Sequence, residues 1–158
     1  MFIGWTLLTV KGKTMSAIVR LGVPWIAGLI GLVLLDLLWI GFVASGLYRN
    51  QIGHLLNIVN GQMVVNVPAA AATWAVIVTG VQLFVLPRAS GTGSIPSFVL
   101  WGALFGLIVY AVYDLTNYAV IKNWPLTVTI VDIVWGALVC SMTSLCMGLA
   151  SRAISRFL

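Results

Sequence analysis

Acidic residues are almost absent from this chain of 158 residues. It contains no Glu, and its three acidic residues are Asp36, Asp114 and Asp132. All charged residues together make up 7% of the chain, whereas they make up about 25% of a typical soluble domain. A protein surface that faces water needs far more charge than this. An ordinary water-soluble domain is therefore excluded.

Other residue types and motifs are also scarce. Two Cys are too few for a disulfide scaffold, and a single His makes zinc an unattractive metal. The sequence has no Gly-x-Ser-x-Gly elbow, no Walker loop and no His-rich iron box. Its eight Lys and Arg are scattered, which excludes the clustered basic stripe of a nucleic-acid-binding protein. What remains is 61% apolar residues, and this composition is that of an integral membrane protein.

Four stretches are long and apolar enough to cross a bilayer as helices, which requires about 20 residues each. They run over about residues 23–43, 67–86, 98–121 and 126–150. All are apolar on every face, whereas the strands of a membrane barrel alternate in polarity. The sequence therefore predicts an all-α integral membrane protein, a bundle of four transmembrane helices.

The connections between these spans differ in character. Residues 44–66 are mixed in polarity and long enough for a short interfacial helix, whereas residues 88–96 are rich in Gly and Ser and predict a flexible turn. Residues 121–125 are so few that the third and fourth spans should form an antiparallel hairpin. Gly102 and Gly106 form a small-xxx-small pair, which predicts close packing of the third span against a neighbour. We expect residues 21–158 to form a single four-span domain.

Residues 1–20 are predicted to be a short N-terminal segment that precedes this domain. The segment opens with a run of ten mostly apolar residues before Lys11 and Lys13, which is too short to span a membrane. A secretory signal carries its positive charge before the apolar run, and here the order is reversed. Two interpretations stay open: an interfacial helix, or sequence upstream of a natural start at Met15.

Basic residues predict how the bundle is oriented. An even number of spans places both termini on one side of the membrane, together with six of the basic residues: Lys11, Lys13, Arg20, Arg88, Arg152 and Arg156. Arg49 and Lys122 fall on the other side. The positive-inside rule then predicts cytoplasmic N- and C-termini. We expect a multi-pass protein in a bacterial-type inner membrane, in contact with the lipid bilayer.

The three aspartates lie at similar depths in the predicted spans. Asp36 and Asp114 each precede the outer end of their span by about 7 residues, and Asp132 follows the start of its span by about 6, so each lies roughly 9–11 Å below the outer boundary. A carboxylate near the bilayer centre costs about 2.5–3.5 kcal/mol on insertion scales and rarely occurs without a role or a partner. The sequence therefore predicts that Asp36, Asp114 and Asp132 converge on one ligand-binding site in the outer half of the bundle.

Other side chains are candidates for the same site. Asn117 follows Asp114 by three residues on one helix face and is predicted to join the carboxylates as a ligand. Trp39 and Trp135 follow Asp36 and Asp132 at the same spacing, which would place indole N–H donors beside carboxylates. Two further supporting residues are predicted, one beside Asp114 and one in the outer connection as a lid: Tyr113 and His54.

Structural roles are the alternative for all of these residues. Tryptophans near a membrane interface commonly anchor the helix there, and a single His in a loop is commonly solvated. Arg49 and Lys122 fit the pattern of snorkelling anchors. The aspartates themselves could serve as hydrogen-bonded or ion-paired residues that hold the bundle together.

Three carboxylates in one low-dielectric pocket cannot all be ionised cheaply, so such a cluster is expected to hold a proton or a cation. Carboxylate and amide oxygens also suit Mg²⁺, Ca²⁺ or Mn²⁺, although the sequence identifies neither a metal nor a cofactor. The leading hypothesis is binding or translocation of a proton, a cation or a small cation-coupled substrate. Four spans are few for a transport path, so transport would imply a homodimer.

Two other classes of function stay open. An intramembrane lipid-modifying enzyme could use two carboxylates as acid and base, although no catalytic motif supports enzyme activity. An accessory subunit could pack against a larger membrane complex, although mere packing would not require three buried acids. A partner protein would accompany the accessory role, whereas transport and catalysis both depend on the aspartates.

Three segments of the sequence resemble a known family. They are LLDLLWIG (34–41), YRNQIGHLL (48–56) and YDLTNYAVIKNWPLTVTIVDIVWG (113–136). Together they resemble the bacterial predicted-membrane-protein family catalogued as domain of unknown function 2177, over about residues 20–150. The resemblance implies a small multi-span inner-membrane protein and supplies no activity. Its motifs include the candidate site residues Asp36, His54, Asp114, Asn117 and Asp132.

Overall fold

The computed structural model describes the backbone of residues 3–157 and the side chains of residues 17–157. Within this part of the chain, four helices are long and apolar enough to cross a membrane: Ala17–Val43, Val67–Thr92, Ile95–Val120 and Leu126–Ser155. The protein is therefore a bundle of four apolar helices, as the sequence predicts. The predicted spans identify the cores of all four helices, and the helices extend beyond several predicted ends.

The first span is the longest helix. Helix α1 runs over Ile3–Leu38 and continues as a π-helical turn at Trp39–Val43. The predicted span over residues 23–43 lies inside it, and the helical backbone extends well into the N-terminal segment. Whether that segment is interfacial or upstream of a natural start depends on residues whose side chains lie outside the described residues, and it stays a prediction.

The polar connection after α1 contains several short elements. Helix α2 covers Ser45–Ile52, as expected for a short interfacial helix, and a single 3₁₀ turn follows it. Strands β1 (Ile58–Val59) and β2 (Gln62–Met63) then pair as an antiparallel hairpin. Asn60 and Gly61 both have positive φ, which is the backbone geometry of a type I′ hairpin turn and explains why Asn-Gly lies at its tip.

The second span does not end at residue 86 as predicted but continues to Thr92. Helix α3 (Val67–Gly80) continues through a π-helical turn at Val81–Val85 into α4 (Leu86–Thr92), so the flexible turn predicted for residues 88–96 is only Gly93–Ser94. Pro87 does not end the helix. A local widening to π geometry accommodates a proline inside a membrane helix, because it satisfies the backbone groups that proline leaves free.

The third and fourth spans form the predicted antiparallel hairpin. Helices α5 (Ile95–Val120) and α6 (Leu126–Ser155) are joined by five residues and share the most extensive contact in the bundle. A Cβ added at Gly106 would lie 2.0 Å from the Gly136 carbonyl oxygen, and one added at Gly102 would lie 2.6 Å from the Cys140 carbonyl oxygen. Glycine at these two positions therefore permits the backbones of α5 and α6 to approach, as the small-residue spacing predicts.

Helix α6 lies at the centre of the bundle. It also packs against α1, α4 and the π-helical turn at residues 81–85, and it contributes Val139, Cys140 and Met147 to the buried core. The 44–66 and 121–125 connections lie at one end of the bundle, which we call the connection end. The Gly93–Ser94 turn and the end of α6 lie at the other, which we call the terminal end.

We predict that Gly106→Ala destabilises the folded protein by about 1–3 kcal/mol, the usual cost of overpacking. The added methyl group would meet the backbone of Gly136, which cannot rotate away as a side chain could. Thermal unfolding in detergent, followed by circular dichroism, measures the change. Gly22→Ala is the control, because a Cβ at Gly22 meets nothing within 4 Å. Equal melting temperatures for the two variants would contradict the close contact of α5 and α6.

Candidate functional site

Asp36 is held by indole groups from two other helices. Its side chain is 8% exposed near the end of α1. Trp74 Nε1 of α3 donates to Asp36 Oδ2 at 2.8 Å, and Trp135 Nε1 of α6 donates to Asp36 Oδ1 at 3.1 Å. Both carboxylate oxygens thus have a donor, which offsets part of the cost of burying the group. This carboxylate connects three helices of the bundle.

Asp132 has a different donor. The Tyr48 hydroxyl of α2 donates a short hydrogen bond to Asp132 Oδ1. Trp39 Nε1 in turn donates to the Tyr48 hydroxyl oxygen at 3.0 Å. The connection helix α2 is therefore fixed against the start of α6 by a phenol placed between an indole and a carboxylate.

An aromatic stack joins these two groups of hydrogen bonds. The rings of Trp39 and Trp135 lie 4.4 Å apart between centroids and are parallel to within 3°. Trp135 bonds Asp36, whereas Trp39 bonds Tyr48, so the stack connects the surroundings of both aspartates. We call the resulting set the aromatic network, whose members are Asp36, Trp39, Tyr48, Trp74, Asp132 and Trp135.

Asp114 lies outside these hydrogen bonds. Its side chain is fully buried on α5, with a relative exposure of 0%. In the part of the chain that the structure describes, neither carboxylate oxygen of Asp114 has a hydrogen-bond partner, and the same holds for the amide nitrogen of Asn117. Polar atoms without a partner are costly in an apolar interior. Among the described residues, Asp114 and Asn117 together have three buried polar atoms without a hydrogen-bond partner.

The predicted supporting residues are divided between two environments. Trp39 and Trp135 belong to the aromatic network, but the predicted pairing within each helix is not what occurs: Trp135 donates to Asp36 on another helix and Trp39 donates to Tyr48. Tyr113 is 62% exposed and is not a member of the aromatic network. His54 is exposed on the 3₁₀ turn after α2 and does not line the cavity beside Asp36.

Sequence reasoning missed two members of the network, Tyr48 and Trp74. Trp74 lies seven residues after the start of α3 at Val67, about 10 Å into the span and therefore at the depth of the aspartates. This indole is predictable from the sequence, because its N–H group lies at the depth of the aspartates. Tyr48 gave no such signal, because its position depends on how α2 folds back onto α6.

A cavity of about 670 Å³ opens beside Asp36 at the connection end. Among its lining residues are Asp36, Trp74 and Arg49, so it carries charged groups of both signs on otherwise mostly apolar walls. Asp36 thus has a route to the exterior of the bundle. Across the described residues, no three His, Cys, Asp or Glu side chains are grouped closely enough to hold a metal ion.

Tyr48 lies outside the membrane-spanning helices. Burial, followed by the hydrogen bond to Asp132 and the charge of that carboxylate, raises the pKa of Tyr48 well above its usual value. The phenol is therefore a neutral hydrogen-bond donor at all physiological pH values. This protonation state is the one that the contact with Asp132 requires.

The four apolar helices define a multi-pass membrane protein. The chain belongs to the family described as predicted membrane protein (DUF2177), whose model matches residues 22–149. That match confirms the resemblance seen in the sequence motifs. Comparisons with curated proteins and with solved structures give no significant match.

We predict that Trp74→Phe and Trp135→Phe each lower the free energy of unfolding by about 1–2 kcal/mol, since each removes one donor from a buried carboxylate. Trp101→Phe is the matched control, because Trp101 is 39% exposed on α5 and is outside the network. Circular dichroism melting in detergent measures all three variants. A loss for Trp101→Phe as large as for the other two would show that ring size, and not the hydrogen bond, determines the result.

We also predict that Tyr48→Phe changes how stability depends on alkaline pH. The unfolded chain releases a phenolic proton near pH 10, whereas folded Tyr48 retains it because its pKa is raised. The stabilisation from Tyr48 is therefore complete below about pH 10 and declines as the pH rises further. Melting temperatures between about pH 9 and about pH 11 should fall less steeply in Tyr48→Phe than in the wild type. The control is Tyr118→Phe, which removes a hydroxyl from a side chain that is 48% exposed. If the melting temperatures of the wild type and Tyr48→Phe fall equally with pH, the raised pKa of Tyr48 is contradicted.

Proposed function

We propose that this membrane protein binds a proton or a cation at an intramembrane site centred on Asp114, with Asn117 as a further ligand and with the carboxyl groups of Asp36 and Asp132 as its acidic neighbours. The observation that carries the proposal is the complete burial of Asp114 without a donor for either oxygen in the described part of the chain. Asp36 and Asp132 have indole and phenol donors, which suit ionised carboxylates. Asp114 lacks them and needs a proton or a bound cation.

Electrostatic repulsion supports the same assignment. Asp132 is near enough to Asp114, and Asp36 near enough to Asp132, for their charges to interact. Negative charges on all three side chains would repel one another, because an apolar bundle contains little water to screen them. One bound positive charge, as a proton or a cation, relieves that repulsion. The member of the trio without hydrogen-bond donors is the natural place for it.

A proton is favoured over a divalent metal ion. Mg²⁺ and Ca²⁺ require six or more oxygen ligands at defined distances, and no three acidic, His or Cys side chains of the described residues are grouped for that purpose. A proton needs only one carboxyl group. The cavity lined by Asp36 and Arg49 gives access to one carboxyl group next to this site.

Transport is the extension of this proposal. With both termini cytoplasmic, the connection end would face the outside of a bacterial inner membrane, and the cavity beside Asp36 would open there. Movement of the proton or cation through so few spans would call for a homodimer. Uptake into vesicles that contain the purified protein, driven by an imposed pH gradient, would distinguish transport from binding alone.

We predict opposite effects for two matched substitutions. If Asp114 is neutral in the folded protein, Asp114→Asn should melt at or above the wild-type temperature at pH 8. The unfolded wild type ionises Asp114 above about pH 4, so wild-type stability should fall as the pH rises from 5 to 8, and Asp114→Asn should fall less. Asp36→Asn should destabilise the protein by about 1–3 kcal/mol, because it replaces a carboxylate that accepts two indole donors.

The same melting measurements in a panel of chloride salts distinguish a bound proton from a bound cation. A proton site gives the pH slope described above and no dependence on the cation. A cation site gives stabilisation by one cation, by mass action, that Asp114→Asn abolishes. If Asp114→Asn shows the wild-type pH slope and the wild-type response to every cation, the proposal is wrong.

A further inference from the structure

A second cavity lies at the terminal end of the bundle, where α4, α5 and α6 meet. It has a volume of about 230 Å³ and is lined by Ser90, Gly93, Phe98, Gly148, Ser151, Arg152 and Ser155. Cavities that hold drug-sized ligands measure about 300–1,000 Å³, so this one suits a smaller group. Three hydroxyls and a guanidinium give it hydrogen-bond donors and one positive charge.

Arg152 is held in place by packing. Its guanidinium lies over the ring of Phe98, 5.3 Å from the ring centroid. One of its terminal nitrogens is 3.6 Å from where Gly93 would carry a Cβ, and Gly93 has a positive φ of 60°. The left-handed turn between α4 and α5 therefore lies within van der Waals reach of this side chain. A guanidinium fixed in this way loses less entropy when it binds an anion.

No carboxylate side chain among the described residues lies near Arg152. Asp132, on the same helix, is 20 residues away, a distance of about 30 Å along the helix axis. Asp36 bonds Trp135, close to Asp132, and Asp114 lies near the same connection end of α5. All three acidic side chains of the chain are therefore at the opposite end of the bundle from Arg152.

The chemistry of the lining indicates the ligand. Arginine binds phosphate through paired hydrogen bonds, and the hydroxyls of Ser90 and Ser151 can donate to its remaining oxygens. The Ser155 hydroxyl already donates to the Arg152 carbonyl oxygen, which leaves it as an acceptor. Basic pockets between the ends of transmembrane helices bind the phosphates of anionic lipid headgroups.

We infer that the Arg152 cavity binds a single phosphate group, with the phosphodiester of an anionic phospholipid as the source that its place at the end of the spans favours. This site is separate from the aspartates and does not depend on their role. It would attach one anionic lipid to the junction of α4, α5 and α6.

The test measures lipid binding to the full-length protein in nanodiscs of phosphatidylcholine with increasing phosphatidylglycerol. Native mass spectrometry counts the phosphatidylglycerol molecules retained, and thermal unfolding measures stabilisation. Arg152→Gln should lose one retained lipid and weaken apparent binding about tenfold or more, the loss expected for a charge-assisted contact. Arg156→Gln is the matched control, because it removes the same charge from an exposed side chain outside the cavity.

Two further arms complete the experiment. Ser151→Ala removes a hydroxyl without changing the charge, so it tests the cavity even if Arg152→Gln does not fold, and it should weaken lipid retention as well. Inorganic phosphate added to the protein in neutral detergent identifies the source: stabilisation that depends on Arg152 would indicate a soluble phosphate ligand, whereas retention of lipid alone indicates a headgroup. Equal lipid retention by the wild type, Arg152→Gln and Ser151→Ala, without an effect of phosphate, would overturn the inference.

Discussion

A carboxyl group inside an apolar helix bundle must receive hydrogen-bond donors, a proton or a counter-ion, and the connection end of this protein is organised around that requirement. Asp36 receives two indole N–H groups and Asp132 receives a phenol. These donors come from α2, α3 and α6, so the hydrogen bonds to these two carboxyl groups also fix the positions of several helices. Two of the tryptophans, Trp39 and Trp135, are also stacked on each other.

Helix α6 brings the packing and the polar contacts together. It carries both Asp132 and Trp135, and one residue further on Gly136 permits the close approach of α5. The polar contacts of α6 and its close contact with α5 therefore both lie within residues 132–136. A change in how α5 lies against α6 would move Asp114 relative to Asp132.

The apolar cores of the spans and the hairpin of α5 and α6 could be predicted from the sequence, because length, hydropathy and a five-residue connection leave few alternatives. The end of the second span could not, since Pro87 normally signals a helix end and a π-helical turn accommodates it here. The aspartates stood out because charge is so rare in this chain. Two of their donors did not, because Trp74 and Tyr48 reach them from other elements and the spacing within one helix cannot reveal such contacts.

We propose that Asp114 carries a bound proton or cation while Asp36 and Asp132 are ionised carboxylates. Since the chain has three Asp and no Glu, labelling with side-chain ¹³C-aspartate gives a spectrum of these three groups alone. For a proton site, we predict one protonated and two ionised carboxyl signals at neutral pH, with the protonated signal missing from Asp114→Asn. For a cation site, we predict a signal that shifts with one cation and is likewise missing from that variant. Three ionised signals that respond to no cation would contradict a bound proton or cation at Asp114.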